Sequence, residues 1–255
     1  MTIADVLHVI DNFAPFEAQA EFDHSGLQVG DPSSACTGVL VAVDLTDGVI
    51  EEALRTGCNL IVTHHPAIWS PLAEVRRDSV TGALVYALIE HDLHYAAAHT
   101  NVDNCVDGNS ERLIRLLGGE PTGHLEEDAY AVTFSLPPIR LSALAAEVRD
   151  ALQDPTVCYV GEDDVLTAGA LCTGAGADDA TIAACMRRGL VYLTAEVKHH
   201  QFRYVEAAHG HLIVFGHFTS EKIFVTIIRE VLEAASVRVV ASEQTSPCVC
   251  VGEGV

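Results

Sequence analysis

Two adjacent histidines, His64 and His65, directly follow the apolar run NLIVT. Such a run predicts a buried strand, and Pro66 favours an extended backbone at His65 and ends the regular element there. Two imidazoles at a rigid strand end could bind a metal ion, since neutral imidazole is the commonest metal ligand among side chains. The alternative is that each is an ordinary hydrogen-bonded histidine of the core.

Two further segments pair a histidine with a carboxylate four residues later. In GHFTSE, His217 and Glu221 lie at the start of a predicted helix, so their side chains project from one face about one turn apart. In HTNVD, Asp103 follows the end of a predicted strand. Glu221 could instead belong to a helix cap built on Thr219 or Ser220. Asp103 could instead form an Asx turn in a surface loop.

The side chains that could bind metal are His64, His65, Asp103, His217 and Glu221. Imidazoles and carboxylates in this ratio suit Zn²⁺, Fe²⁺, Mn²⁺, Co²⁺ or Ni²⁺ better than Mg²⁺ or Ca²⁺. Five groups exceed the need of one four-coordinate ion. If the carboxylates bridge, the same set can hold two ions roughly 3.5–4 Å apart, with positions left for water. The sequence therefore predicts two divalent ions per subunit, without indicating which metal.

The elements that must position these residues alternate between strands and helices. Apolar runs near 39–45, 59–65 and 93–100 alternate with helical patterns near 47–56 and 79–91, and a similar series occupies 166–235. Such runs are typical of parallel sheets covered on both faces, whose functional groups collect at the carboxyl ends of the strands. The third strand of each series ends in a histidine, His99 or His217.

These patterns predict an α/β protein with two similar α/β domains, 1–125 and 126–255, with mostly parallel sheets that arose by internal duplication. Between the recognised elements, residues 21–32 are interpreted as a loop and 120–128 as a polar stretch. Asn109 is expected to cap a short amphipathic helix.

Composition excludes several classes of protein. A formal net charge of −22, with Lys198 and Lys222 as the only lysines, disfavours nucleic-acid binding. No export signal and no run of about 18 apolar residues is visible, so we expect a cytoplasmic protein that does not bind membranes. The eight cysteines form no CxxC pair and are interpreted as reduced core residues.

Six segments together resemble one family, the Nif-three-like proteins, also known as GTP cyclohydrolase I type 2 homologues. The segments are FDHSGLQVGDP, VAVDLTDGVIEEA, GCNLIVTHHP, AAHTNVD, TAEVKHH and FGHFTSEK. The resemblance spans about residues 1–250 and implies paired α/β domains, a toroidal homohexamer and a dinuclear metal centre facing its cavity. The family's ligands match His64 and His65 of THHP, Asp103 of HTNVD, and His217 and Glu221 of GHFTSE.

Two segments depart from the family pattern. The family's WDNxGL is FDHSGL here, and its TGDxKYH is TAEVKHH. What these segments recognise is therefore less securely inherited than the ligands. The chain also lacks the domain that longer members insert between the halves, so no role of that insert carries over.

Two functions fit such a chain. The first is a metal-dependent hydrolase that acts on a small molecule, namely a nucleotide or phosphoester, because two ions would activate water and polarise an electrophile. The second is a non-enzymatic protein for metal handling or a scaffold. The Gly174-Ala175-Gly176 turn could receive a phosphate, but it lacks the third glycine of a dinucleotide fingerprint and is more often a plain turn.

Several other side chains could be acid–base groups or could orient the ligands, although surface positions and strand-end hydrogen bonds explain them equally well. They are Asp23, His99, Glu196, His199 and His200. No catalytic base is assigned from the sequence.

Overall fold

The computed structural model describes residues 1–126 and 128–249, and the chain divides into two compact units. Unit 1 comprises Met1–Val106 and Phe224–Thr245, and unit 2 comprises Asp107–Ile223 with the described residues 246–249. This division differs from the expected boundary at residue 125. The reason is that the last described helix and strand return to the first sheet, while residues 107–125 already belong to unit 2.

The elements of unit 1 are α1 (Ile3–Phe13), a 3₁₀ turn (Phe16–Ala18), β1 (Gly26–Val29), β2 (Val39–Ala42), α2 (Asp47–Thr56), β3 (Leu60–Thr63), α3 (Val80–Glu90), β4 (His94–Ala97), α4 (Thr100–Asp103), α10 (Ile223–Ala234, from Phe224 onward) and β11 (Val239–Ala241). Across the described ranges, five strands form its sheet in the order β1-β4-β3-β2-β11. Strands β2, β3, β4 and β11 are parallel, and β1 is antiparallel to β4.

Local sequence explains these elements. Thr2 caps α1 in a capping box with Asp5, and Ile3, Val6 and Ile10 bury one face of the helix. Every residue of β2, β3 and β4 is buried, which is expected for parallel strands covered on both faces. Gly57 ends α2 in the left-handed conformation that glycine adopts without strain.

The elements of unit 2 are α5 (Asn109–Leu116), β5 (Glu120–Leu125), β6 (Asp128–Arg140), α6 (Leu141–Leu152), β7 (Cys158–Val160), β8 (Val165–Leu171), α7 (Asp179–Arg188), β9 (Val191–Thr194), α8 (His199–Ala207), β10 (Leu212–Val214) and α9 (His217–Glu221). Its sheet, counted over the described residues, has six strands in the order β5-β6-β8-β9-β10-β7. Strands β8, β9 and β10 are parallel, and antiparallel strands flank them. The predicted α/β class is confirmed.

Four expectations need correction. The expected loop at 21–32 contains β1, and the polar stretch at 120–128 contains β5, because both are edge strands whose partly or fully exposed residues weaken the apolar signal. Asn109 is the first residue of α5, and Gly108 is the N-cap. The predicted helix that starts at GHFTSE is two helices, α9 and α10.

The cysteines are less uniformly buried than expected. Cys58, Cys172 and Cys185 are buried, whereas Cys158 and Cys248 are exposed, and Cys250 lies outside the described residues. Among the helices of the described chain, none is long and apolar enough to cross a membrane.

Candidate metal centre

Three imidazoles meet at the carboxyl ends of neighbouring strands in unit 1. His64 and His65 follow β3, and His99 follows β4, its parallel neighbour. One ring nitrogen from each of them lies within 4.8 Å of the others. The ring centroid of His64 is 5.0 Å from those of both His65 and His99. The sequence placed all three at strand ends, but it did not count His99 among the ligands.

The first two imidazoles are held through their Nδ1 atoms. His64 is fully buried, and its Nδ1 lies 3.2 Å from the carbonyl oxygen of Ala98. His65 is partly exposed, and its Nδ1 lies 2.7 Å from Asp44 Oδ1. Asp44 is a residue that the sequence analysis missed. Its signal was present, because Asp44 stands at the carboxyl end of β2, next to β3.

The third imidazole, His99, is held by a buried carboxylate. Asp23 Oδ1 lies 3.0 Å from His99 Nδ1, and Asp23 also accepts hydrogen bonds from the backbone N–H and the hydroxyl of Thr100. Burial alone would raise the pKa of the Asp23 carboxyl, but the bonds from His99 and Thr100 outweigh it and hold the pKa well below its usual range. Ionised Asp23 can only accept, so the proton must reside on His99 Nδ1.

Asp103 lies beside this cluster. It is the last residue of α4, and its Oδ2 is 3.7 Å from His64 Nε2. Its backbone N–H donates to the His99 carbonyl within a helical turn, so the alternative of an Asx turn does not describe it. Four side chains of unit 1 thus lie at the carboxyl ends of its strands, and each can offer a nitrogen or oxygen ligand. They are His64, His65, His99 and Asp103.

Unit 2 carries a histidine and a carboxylate on α9. Nε2 of His217 lies 2.9 Å from Oε2 of Glu221, and His217 Nδ1 lies 2.7 Å from Glu196 Oε1. Glu221 is buried. Two lone-pair donors at such a distance form a chemically suitable pair for a shared cation. The spacing of four residues therefore does bring these two side chains together, as the sequence predicts.

The capping alternative does not account for Glu221. The N-cap of α9 is Gly216, and the hydroxyl of Thr219 donates to Asp154 and to the Gly216 carbonyl. Glu221 is instead packed against Gly174, whose φ is +65°. A Cβ at that position would overlap the carboxylate, so a larger residue would force Glu221 to shift.

The other candidates from the sequence differ in whether they contact the imidazoles. Asp23 and Glu196 contact imidazoles, whereas His199 and His200 are exposed on α8, and His200 Nε2 lies 3.4 Å from Asp179. In the glycine turn, the N–H of Gly174 donates to Ser220, and the N–H of Gly176 donates to the Gly174 carbonyl. These backbone donors are engaged within the protein, which favours a plain strand-to-helix turn over a phosphate site.

Comparison with known proteins gives a consistent result. The family model described as Duf34/NIF3 (NGG1p interacting factor 3) matches residues 1–247. The chain is 26% identical to a GTP cyclohydrolase 1 type 2 homolog of Clostridium acetobutylicum over 245 residues, which are 92% of this chain and 91% of the relative. A GTP cyclohydrolase 1 type 2 homolog of Clostridium perfringens is 36% identical over 118 residues, which cover 46% of this chain and 45% of that relative.

Among solved structures, the Staphylococcus aureus hypothetical protein SA1388 superposes with a TM-score of 0.88 at 25% identity. The match covers 98% of this chain and 99% of that one.

Proposed function

The chain belongs to the Duf34/NIF3 family, and we propose that it is a metal-dependent hydrolase that binds two divalent ions and acts on a nucleotide or another phosphoester. One observation carries the proposal: the imidazoles at the strand ends are each held at Nδ1, by the Ala98 carbonyl or by a carboxylate. Metal-binding histidines usually have such a partner on the nitrogen that does not bind the ion.

These partners fix what each imidazole can do. An ionised carboxylate only accepts hydrogen bonds, so Asp44, Asp23 and Glu196 place the proton of the neutral ring on Nδ1 and leave the lone pair on Nε2. The same contact orients the ring and increases the basicity of Nε2. The donor set of imidazole nitrogen and carboxylate oxygen suits Zn²⁺, Fe²⁺, Mn²⁺, Co²⁺ or Ni²⁺.

The proposed ligands are those that the sequence predicts, His64, His65, Asp103, His217 and Glu221, and we add His99 as a nearby imidazole that Asp23 orients. Divalent ions held there would polarise a substrate oxygen and lower the pKa of a coordinated water toward neutrality. The residues themselves would bind and orient, and the buried carboxylate of Asp23 would hold the proton of His99 on Nδ1.

The test measures metal content and turnover on the same samples. Protein reconstituted separately with each candidate metal is expected to retain two ions per chain and to hydrolyse GTP or p-nitrophenyl phosphate. The His65→Ala variant should lose about one of the two ions and with it turnover, whereas His91→Ala, at an exposed position of unit 1, should retain both ions and turnover. Two bound ions without turnover on any substrate would support metal handling instead, and absence of bound metal would overturn the whole proposal.

We also propose that the chain assembles into a homohexamer, as the family resemblance implies, and that it is located in the cytoplasm. Light scattering is expected to give about six times the chain mass of 27.2 kDa, and a monomer would contradict the assembly.

A further inference from the structure

A row of aromatic rings leads from the surface of unit 1 to the three imidazoles. Trp69, the only tryptophan of the sequence, is 47% exposed, and Phe22 is 62% exposed. Their ring centroids are 6.2 Å apart. The Trp69 ring lies 6.5 Å from His24 and 5.6 Å from His99, in both cases nearly perpendicular to the neighbouring ring. His99 in turn contacts the rings of His64 and His65.

The backbone under these rings is held in place. The side-chain amide of Gln28 makes two bonds of 3.0 Å to the backbone N–H and carbonyl of Ile68, the residue before Trp69. The N–H of Ala67 donates to the buried hydroxyl of Tyr95 at 2.8 Å. On the other side, Asp23 lies between Phe22 and His24 and accepts several hydrogen bonds. The exposed rings therefore stand on ordered segments, so a ligand would bind without ordering a loop.

A cavity of about 370 Å³ adjoins the rings. It is lined in part by Asp23, His24, Gln28 and Ser70. This volume lies within the range of roughly 300–1,000 Å³ that is usual for small-molecule sites. His24 itself lines the cavity, and so do Asp23 and Ser70, the chain neighbours of Phe22 and Trp69.

The charges in the segment that follows Trp69 indicate which part of a ligand would be recognised. Arg76 pairs with Glu74 and Asp78. Arg77 pairs with Glu90 and lies over the Tyr86 ring. Because these guanidinium groups already have acidic partners, and the chain is strongly acidic overall, the rings suit a neutral planar group better than a phosphate.

We propose that Phe22, His24 and Trp69 form a stacking site for a planar nitrogen heterocycle of the nucleobase type, next to the imidazole cluster. The proposal rests on the proposed function, because it supplies that site with a substrate class. The site binds the flat face of the ring through stacking, while the cavity receives the polar substituents. The phosphates of a nucleotide would then depend on bound metal for recognition rather than on arginine or lysine.

The single tryptophan reports directly on this site. Guanosine is titrated into Zn²⁺-loaded protein and into chelator-treated protein, with ribose 5-phosphate as the comparison, and Trp69 emission is followed. Zn²⁺ has a closed d shell, so the metal has no redox or d-electron transition of its own to quench the emission. We expect guanosine to change the emission saturably in both samples and ribose 5-phosphate to leave chelator-treated protein unchanged.

Matched variants then locate the contact. Phe22→Leu should weaken guanosine binding about tenfold, as expected for the loss of one stacking ring, whereas Tyr159→Leu, at another exposed aromatic position, in unit 2, should leave it unchanged. By calorimetry, Trp69→Leu should lose a similar factor and Trp69→Phe should retain most of the affinity.

The proposal is overturned if guanosine produces no saturable change, if Phe22→Leu binds as well as Tyr159→Leu, or if the emission changes on dilution alone, since a second copy of the chain would then cover the rings. Elemental analysis of each sample separates this outcome from the proposed function. Metal binding without guanosine binding removes only the stacking site, and guanosine binding without metal retention removes only the metal assignment.

Discussion

In unit 1, strands β2, β3 and β4 run parallel and β1 pairs antiparallel with β4; in unit 2, β8, β9 and β10 run parallel and β7 pairs antiparallel with β10. A helix precedes both β1 and β7, and a short helix follows both β4 and β10. The order of elements is thus repeated. The chemistry at the strand ends differs, because unit 1 places His64 and His65 where unit 2 has Ala195 and Glu196.

The two units also share a buried anchor. Asp23 accepts hydrogen bonds from the N–H and hydroxyl of Thr100, at the start of α4. Asp154 accepts bonds from the N–H of Gly216 and the hydroxyl of Thr219, at the start of α9. Each carboxylate therefore fixes the short helix that carries candidate ligands. Only Asp23 also contacts an imidazole.

Strand register shows that His99 and His217 are not equivalent. Thr63 pairs with Ala97, and Thr194 pairs with Val214. His99 is therefore the second residue past its pairing position, and His217 is the third. His99 is the N-cap of α4, whereas His217 is the first residue of α9. The repeated scaffold supports imidazoles held by the strand ends in unit 1 and a helix-borne imidazole and carboxylate in unit 2.

The largest expected effect compares the carboxylate ligand Glu221 of unit 2 with the imidazole ligand His64 of unit 1 in their contribution to metal retention. Because a carboxylate can bridge two ions and an imidazole binds one, Glu221→Ala should lose both ions, while His64→Ala should retain roughly one ion per chain. Elemental analysis measures both, and His91→Ala is the control. If folded Glu221→Ala and His64→Ala proteins both retain two ions at neutral pH, the five-ligand assignment is wrong.

The next effect concerns the glycine that makes room for Glu221. Gly174 and Gly189 have nearly the same positive φ, +65° and +67°, but a Cβ would meet Glu221 only at Gly174. Gly189→Ala should cost roughly 1–2 kcal/mol of stability from backbone strain alone. Gly174→Ala should cost more and should also lower metal retention. Urea unfolding and metal content decide this, and equal effects of the two variants would show that Gly174 has no special relation to the site.

Much of the fold was readable from sequence because buried parallel strands and capped helices leave strong local patterns. Helix α2 was predicted at its observed bounds, and β3 was placed correctly before His64. Strands β1 and β5 were missed, since edge strands with polar or exposed residues have no continuous apolar run. The return of α10 and β11 to the first sheet depends on tertiary pairing, which no local pattern encodes.

In the candidate site as well, local patterns were predicted from the sequence and long-range contacts were not. His217 and Glu221 were found together because helical spacing is a local property. The contacts of Asp44 with His65 and of Asp23 with His99 join residues far apart in the chain. They depend on which strands are neighbours and on the path of the segment between α1 and β1. The sequence could therefore name Asp23 as a candidate without assigning its partner, and it did not identify Asp44.

A smaller effect compares the two carboxylates that hold an imidazole at 2.7 Å, Asp44 on His65 and Glu196 on His217. Asp44→Asn should weaken Zn²⁺ binding about tenfold, at the low end of the range for such partners. Glu196→Gln should have less effect, because its side chain is 57% exposed and water can replace it. Competition with a chelating dye gives the Zn²⁺ affinity of both variants. A larger loss of affinity in Glu196→Gln than in Asp44→Asn would contradict this prediction.

The smallest expected effect compares Asp154, which anchors a short helix, with Asp23, which anchors a short helix and also contacts the imidazole of His99. Burial would raise the pKa of the Asp154 carboxyl, but hydrogen bonds from Thr156, Gly216 and Thr219 outweigh burial and lower the pKa. Hydrogen bonds lower the pKa of the Asp23 carboxyl in the same way. A carboxyl whose pKa is lowered by folding stabilises the protein above its unfolded pKa of about 3.9, and this contribution is lost as pH falls through the folded value. Asp154→Asn should therefore reduce the free energy of unfolding of chelator-treated protein at pH 7 by roughly 1–3 kcal/mol. The urea midpoint should fall accordingly.

The difference from the wild type should narrow as pH falls below about 4, where the wild-type carboxyl is itself losing its advantage. Asp23→Asn should show the same pH dependence and, in addition, weaker Zn²⁺ binding at pH 7, because only Asp23 orients a ring of the imidazole cluster. Urea midpoints at both pH values, with Zn²⁺ titrations at pH 7, distinguish the two roles. If Asp154→Asn weakens Zn²⁺ binding as much as Asp23→Asn does, then anchoring the short helix, and not the contact with His99, is what Asp23 contributes to the site.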